Sequence, residues 1–258
     1  MSLELALTWC ARLGASSLAL QTFELWQVRS ACADAGVWSW PVLRDEHRAL
    51  PAPLRWLFSI LLPYRRYLVL LTLRVPLLLA LGLGWLPAAA VLLLTQLAIG
   101  ARFRGTFNGG SDYMTVALLL GLTAASIGHP LWVRSGLAYV CVQLVLSYFI
   151  AGVVKLARPA WRSGLALRQL LSSNRYGTPL WLQRFVNLPG VAWVLSVALL
   201  GFECGFPLAL TGPRAALAFL VCGVAFHLGT VLAFGLNRFL FAWVAAYPAL
   251  LYFSYQLG

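Results

Sequence analysis

The chain has 258 residues, of which 61% are hydrophobic and 10% charged, and its mean hydropathy is +0.83. Those values exclude a soluble globular domain and describe a polytopic membrane protein. Its net charge is +12, but the arginines lie mostly between apolar runs and no basic stripe carries interleaved stacking aromatics, so the charge marks topology and contact with anionic lipid and excludes nucleic acid as a partner.

The first apolar run, about 5 to 27, carries Arg12 and Glu24 and is expected to pack against other helices. It lacks a basic n-region and a following small-residue cleavage site, so it reads as a retained span and not a signal peptide. A long connection, 28 to 65, contains the amphipathic piece Leu54 to Leu62, suited to a helix lying in the interface. Two short spans follow, about 66 to 83 and 86 to 101. The segment Phe107-Asn-Gly-Gly-Ser-Asp-Tyr113 then leads into a fourth span at 113 to 128; Asn108, Ser111 and Asp112 suit either a turn that caps the next helix or contact with a polar ligand. The fifth span, 135 to 157, precedes a second long connection, 158 to 188, with another amphipathic piece at Gly164 to Leu171. Spans at 189 to 211, 215 to 233 and 238 to 257 complete the chain. The fold expected is all-α: a polytopic transmembrane helix bundle of eight spans with short interfacial helices, forming a single membrane domain over 1–258 with no soluble domain.

Arginine distribution orients this bundle. The first, third, fifth and seventh connections carry six, two, five and one arginines, whereas the opposite side carries Arg134 and Arg214. The positive-inside rule then places both termini outside and both long connections in the cytoplasm. Five cysteines, Cys10, Cys32, Cys141, Cys204 and Cys222, are scattered without a CxxC, which argues against a disulfide framework or a structural zinc site.

Polar residues inside or at the edges of the spans are Arg12, Arg74, Gln96, Asp112, Gln143, Lys155, Glu203 and His227. Each is costly against lipid and is expected to face inward and pair. Lys155 is the only lysine, against eighteen arginines. Burial readily converts a lysine to a neutral amine, a base or nucleophile; the alternative is an ammonium snorkelling to the interface. Tyr148, Ala151, Gly152 and Lys155 recur at helical spacing, and two small residues on that face favour close approach of a neighbouring helix. Glu203 is the natural countercharge or proton partner, with a salt bridge to Arg74 or Arg12 as the structural alternative. His227 is either a hydrogen-bonded packing residue or a functional one. One histidine and one carboxylate at depth are too few for a metal site.

The stretch Ser147-Tyr-Phe-Ile-Ala-Gly-Val-Val-Lys-Leu-Ala-Arg-Pro-Ala-Trp-Arg-Ser-Gly164 resembles the core motif of the horizontally transferred transmembrane domain family, which includes the membrane part of vitamin K-dependent gamma-glutamyl carboxylase. Asn108 to Tyr113 and Phe226-His227 are supporting similarities. The resemblance implies that Lys155 is a base taking a proton from a reduced, vitamin K-like quinone as cofactor. The candidate catalytic set is then Lys155 with Glu203, read from its mid-span position, or His227, which lies in a supporting similarity, and the candidate substrate-binding set is Asn108, Gly110, Ser111, Asp112, Tyr148 and Trp161. The resemblance places the lysine on the lumenal side, in conflict with the arginine count. Two departures stand out: the family's carboxylase has a histidine where this chain has Gly110, and nothing here corresponds to its lumenal peptide-binding domain. Smaller bacterial members resemble subunits of peptide-toxin maturation systems, some beside thioredoxin-like proteins. A protein partner supplying specificity, thioredoxin-like or a peptide precursor, is therefore implied, in a bacterial inner membrane. A noncatalytic scaffold or lipid-binding subunit is the alternative, and a transporter the third reading, since inverted repeats and matched broken helices are not evident.

Overall fold

A computed structural model describes residues 1–103, 109–173 and 176–257, and among these the regular structure is entirely helical. Helix α1 (Leu3–Gln27) leads into the first long connection, where short helices α2 (Trp40–Leu43) and α3 (Ala52–Leu61) alternate with 3₁₀ turns at Arg29–Cys32 and Arg44–Ala49. Helices α4 (Tyr64–Gly82), α5 (Ala88–Arg102), α6 (Gly110–Ala125) and α7 (Pro130–Leu156) follow. The second long connection holds α8 (Pro159–Arg162), α9 (Leu165–Leu171) and α10 (Leu180–Val186). The chain finishes with α11 (Val191–Gly205), extended by a 3₁₀ segment Phe206–Thr211, then α12 (Pro213–Phe234), α13 (Asn237–Val244) and α14 (Tyr247–Leu257). Three stretches, Pro130–Leu156, Val191–Thr211 and Pro213–Phe234, are long and apolar enough to cross a membrane, which makes this a membrane protein.

Two expectations change. The last apolar run, 238 to 257, is not one helix but two, because Pro248 has no N–H to continue the ladder and its ring crowds the carbonyl four residues earlier, at Val244, where α13 ends. The segment before the fourth run is helical from Gly110 onward rather than a turn, so Ser111 and Asp112 lie within the first turn of α6 and do not precede it as caps. The N-cap is Gly109, with φ 51°, and no side chain caps it. Asp112 at that position still complements the positive end of the helix dipole. Asn108 lies outside the described residues.

The chain divides into two compact units, one formed by Leu7–Leu137 and the other by Met1–Ala6 with Ala138–Gly258. In the first, α5 packs on α4 and on α6. A side-chain carbon at Gly136 would lie 2.3 Å from the Gly121 carbonyl oxygen, so glycine alone permits that backbone contact. Arg102, fully buried at the end of α5, donates to the carbonyls of Leu62, Cys32 (2.6 Å) and Trp38 (3.0 Å) and lies 4.9 Å from the Tyr67 ring. These carbonyls belong to stretches that have left the helical ladder, and one planar guanidinium satisfies all three. Around it Leu25, Trp40, Leu43, Leu71, Ile99 and Phe103 form an apolar core. In the second unit α12 packs on Phe206–Thr211, α13 and α14, while α11 packs on α8 and α9.

Candidate functional site

The second unit contains a pair of opposite charges at a helix crossing. A carbon added at Gly152 of α7 would meet the Cys204 backbone nitrogen at 2.7 Å and the Glu203 Cβ at 2.8 Å, so α7 and α11 touch backbone to backbone there. One turn further along α7, Lys155 Nζ donates to both Glu203 oxygens, at 2.6 and 2.7 Å. The Glu203 side chain is 2% exposed and that of Lys155 is 22% exposed, so the carboxylate is sealed while the amine keeps one accessible side. The structural alternative of a bridge from Glu203 to Arg74 or Arg12 is replaced by this pairing.

The segment after α7 folds over the pair. The Trp161 ring centroid lies 5.6 Å from Lys155 Nζ, a cation–π contact. Ser196 of α11 donates to the Trp161 carbonyl at 2.5 Å, fixing α8 on α11. Gly164 follows with φ 78°, and a side chain there would collide with the Ala192 and Trp193 backbone at 2.6 to 2.7 Å. The sequence Trp161-Arg-Ser-Gly164 thus turns back tightly enough to hold Trp161 over Lys155.

Two turns before Lys155, Tyr148 is 2% exposed and stacks on Phe206 at 4.1 Å. Its hydroxyl bonds to His227 Nε2 at 2.7 Å and to the Tyr247 hydroxyl at 2.9 Å. Gly223 makes room for this junction, since an added carbon would fall 2.4 Å from the Tyr247 hydroxyl. The second nitrogen of His227, Nδ1, is buried with no hydrogen-bond partner among the described residues. Rings of Phe226 and Trp243 flank the imidazole at 4.9 and 5.1 Å. This triad of two phenols and an imidazole can pass a proton internally, and aromatic rings wall it.

The remaining sequence candidates lie in the unit Leu7–Leu137. Arg74, fully buried, donates to the Gln21 side-chain oxygen at 2.8 Å and to that of Gln96 at 3.3 Å, while Gln21 Nε2 donates to Asp112 at 2.9 Å. Asp112 is therefore a buried member of an interhelical polar network, and Ser111 beside it is buried as well. Arg12 departs from the expectation that it faces inward: it is exposed, with its guanidinium 5.8 Å from the Trp9 ring.

Sequence reasoning named Lys155, Glu203, Tyr148, Trp161 and His227, but it missed Tyr247 and Gln21. Tyr247 lies in an aromatic-rich run where a phenol is unremarkable, and its spacing to His227 becomes meaningful only through the break at Pro248. Gln21 was detectable as an uncharged polar residue in the first apolar run, one residue before Thr22 and three before Glu24. No group of three metal-binding side chains occurs among the described residues. Comparison with protein-family models, curated proteins and solved structures gives no match.

Proposed function

We propose that this chain is an integral membrane enzyme, or the membrane subunit of a peptide or protein maturation system, in which Lys155 and Glu203 act as a proton-transfer pair on a hydrophobic quinone-like or peptide substrate. The observation that carries this reading is the geometry of the pair: both carboxylate oxygens lie within 2.7 Å of an amine that is still 22% exposed. When the shared proton sits on Glu203, Lys155 presents a lone pair on its open side and can take a proton from an acidic hydroxyl; Glu203 then holds the first proton in a sealed site. A reduced quinone fits the donor set, since Trp161 offers an aromatic face beside the amine and the surrounding helices are apolar. Such a cofactor would supply the acidic hydroxyl, and the residues of the chain would supply the base and its proton store. The resemblance of the Tyr148 to Gly164 motif to the vitamin K-dependent carboxylase family supports the same chemistry.

The test uses the purified protein in proteoliposomes with a reduced naphthoquinone and dioxygen, following quinol disappearance by absorbance. The wild-type protein accelerates oxidation over protein-free liposomes and Lys155→Met does not. Equal rates with and without protein would discard the quinone reading.

A scaffold reading is favoured by one specific observation, that Glu203 is 2% exposed and bonded through both oxygens to Lys155 on the facing helix. In that case the pair locks α7 to α11, and specificity and chemistry belong to a partner, thioredoxin-like or a peptide precursor. We further propose a multi-pass topology of eight spans in a bacterial inner membrane with both termini outside, supported by the arginine distribution.

A further inference from the structure

We propose that the trough between α1 and α4 is a binding site for an anionic phospholipid, with the lipid phosphate at Arg12 and an acyl chain lying along the trough. The trough has a volume of about 720 Å³, within the usual size range of small-molecule sites, and its lining lies within the unit Leu7–Leu137. Its two walls are antiparallel. Ala15 faces Gly82, where an added carbon would lie 3.8 Å away, and Gln21 faces Arg74 across a 2.8 Å hydrogen bond. Arg12 is therefore level with the C-terminal end of α4, at Gly82 and Leu83, where a spanning helix would reach the headgroups.

Three observations select the occupant. First, the walls are apolar in effect even where the side chains are not. Ser16, Thr22 and Thr72 each return their hydroxyl to a carbonyl of their own helix, Arg12, Leu18 and Leu68, at 3.0, 2.7 and 3.0 Å. Their donors are already used, which leaves these walls suited to a hydrocarbon chain. Second, length suits an acyl chain. From Arg12 to Trp26 the trough runs about 21 Å along α1. That length exceeds the ~15 Å half-thickness of a hydrocarbon core, so a full acyl chain of one leaflet fits. Third, charge selects the head. The exposed Arg12 guanidinium has no acidic partner among the described residues and lies 5.8 Å from the Trp9 ring, so it is open to a phosphate. Trp9 and Trp26 are both exposed and lie about 26 Å apart along α1, near the separation of the two aromatic belts of a bilayer, which sets Arg12 close to one headgroup layer.

The site is tested in nanodiscs of equimolar phosphatidylglycerol and phosphatidylcholine doped with either lipid carrying a photoactivatable acyl chain, with adducts mapped by mass spectrometry. Phosphatidylglycerol adducts concentrate on α1 and α4, and Arg12→Gln lowers them about fivefold, the contribution of one arginine at an anionic surface, while phosphatidylcholine adducts stay unchanged. Ala19→Leu, at an exposed position on the trough wall, lowers adducts of both lipids. Adducts spread evenly over all lipid-facing helices, or phosphatidylglycerol labelling indifferent to Arg12→Gln, would overturn the proposal. So would a photo-crosslinking residue placed at Ala19 that reacts with another polypeptide, including a second copy of this chain, instead of lipid.

Discussion

At the scale of single residues, the Lys155–Glu203 pair can be separated into its chemical and structural roles. Lys155→Met leaves a carboxylate that is 2% exposed without its counter-ion, a loss of about 3–5 kcal/mol unless the group takes up a proton. The double variant Lys155→Met/Glu203→Gln removes both charges and is expected to recover most of that stability in thermal unfolding, since two neutral side chains replace an ion pair. If the pair transfers protons, the double variant regains most of the parent's stability yet is inactive in quinol oxidation; retained activity would assign the pair to holding helices together. Gly152→Ala bears on the same crossing. Its new carbon would lie 2.7 Å from the Cys204 backbone, which cannot yield as a side chain can, so α7 and α11 must separate. A loss of about 1–3 kcal/mol is expected in thermal or denaturant unfolding, and an unchanged midpoint would mean that the contact is looser than its geometry indicates. Lys155 could be singled out from sequence because it is unique and because small residues share its helical face. The junction of Tyr148, His227 and Tyr247 could not, because hydroxyls and imidazoles 79 and 99 residues apart carry no spacing rule.

At the scale of elements, each apolar run became helical because a membrane chain must satisfy its backbone polar groups internally. What a count of apolar residues does not register is interruption. Pro248 sits inside the run 238 to 257 without changing its hydropathy, yet it ends α13 at Val244 and redirects the chain into α14, and that redirection brings the Tyr247 hydroxyl to Tyr148. The two amphipathic pieces were readable at 54 to 62 and 164 to 171, and they form α3 and α9. The means by which the first long connection is held was hidden, since it depends on one arginine reaching three carbonyls that are distant in sequence. Arg102→Met keeps most of the side-chain volume but strips those carbonyls of their donor, each a penalty of about 1–3 kcal/mol when buried. The variant is expected to unfold at markedly lower temperature and to expose residues 28 to 65 to limited proteolysis. Arg102→Lys should recover only part of the loss, because an ammonium lacks the planar fork. Full recovery by lysine would show that charge alone, and not the fork, organises the connection.

At the scale of the whole molecule, the proposed orientation rests on arginines, and the structure bears on which of them count. Arg102 and Arg238 are buried, so their positions answer to packing and not to the side of the membrane on which translocation leaves them. Without those two, twelve arginines remain on the proposed cytoplasmic side against Arg134 and Arg214 on the other, and the imbalance still directs both termini outside. The arginines of the two long connections, including Arg44, Arg48, Arg55, Arg158, Arg162 and Arg184, lie near α2 and α3 or α8 to α10, where they would meet the anionic lipid surface of the cytoplasmic leaflet. A periplasmically active enzyme fused at the C-terminus is therefore expected to be active, and an epitope at the N-terminus should be reached by antibody in spheroplasts without lysis. The two readouts are linked by the number of crossings. An even number puts both ends on one side, so an outside C-terminus with an inside N-terminus would refute eight spans and would fit α13 and α14 forming a hairpin-like break in place of a full crossing. Both ends inside would keep the even number while reversing the bundle, and would place the Lys155 end of α7 on the outer face, as the resemblance to the carboxylase family implies.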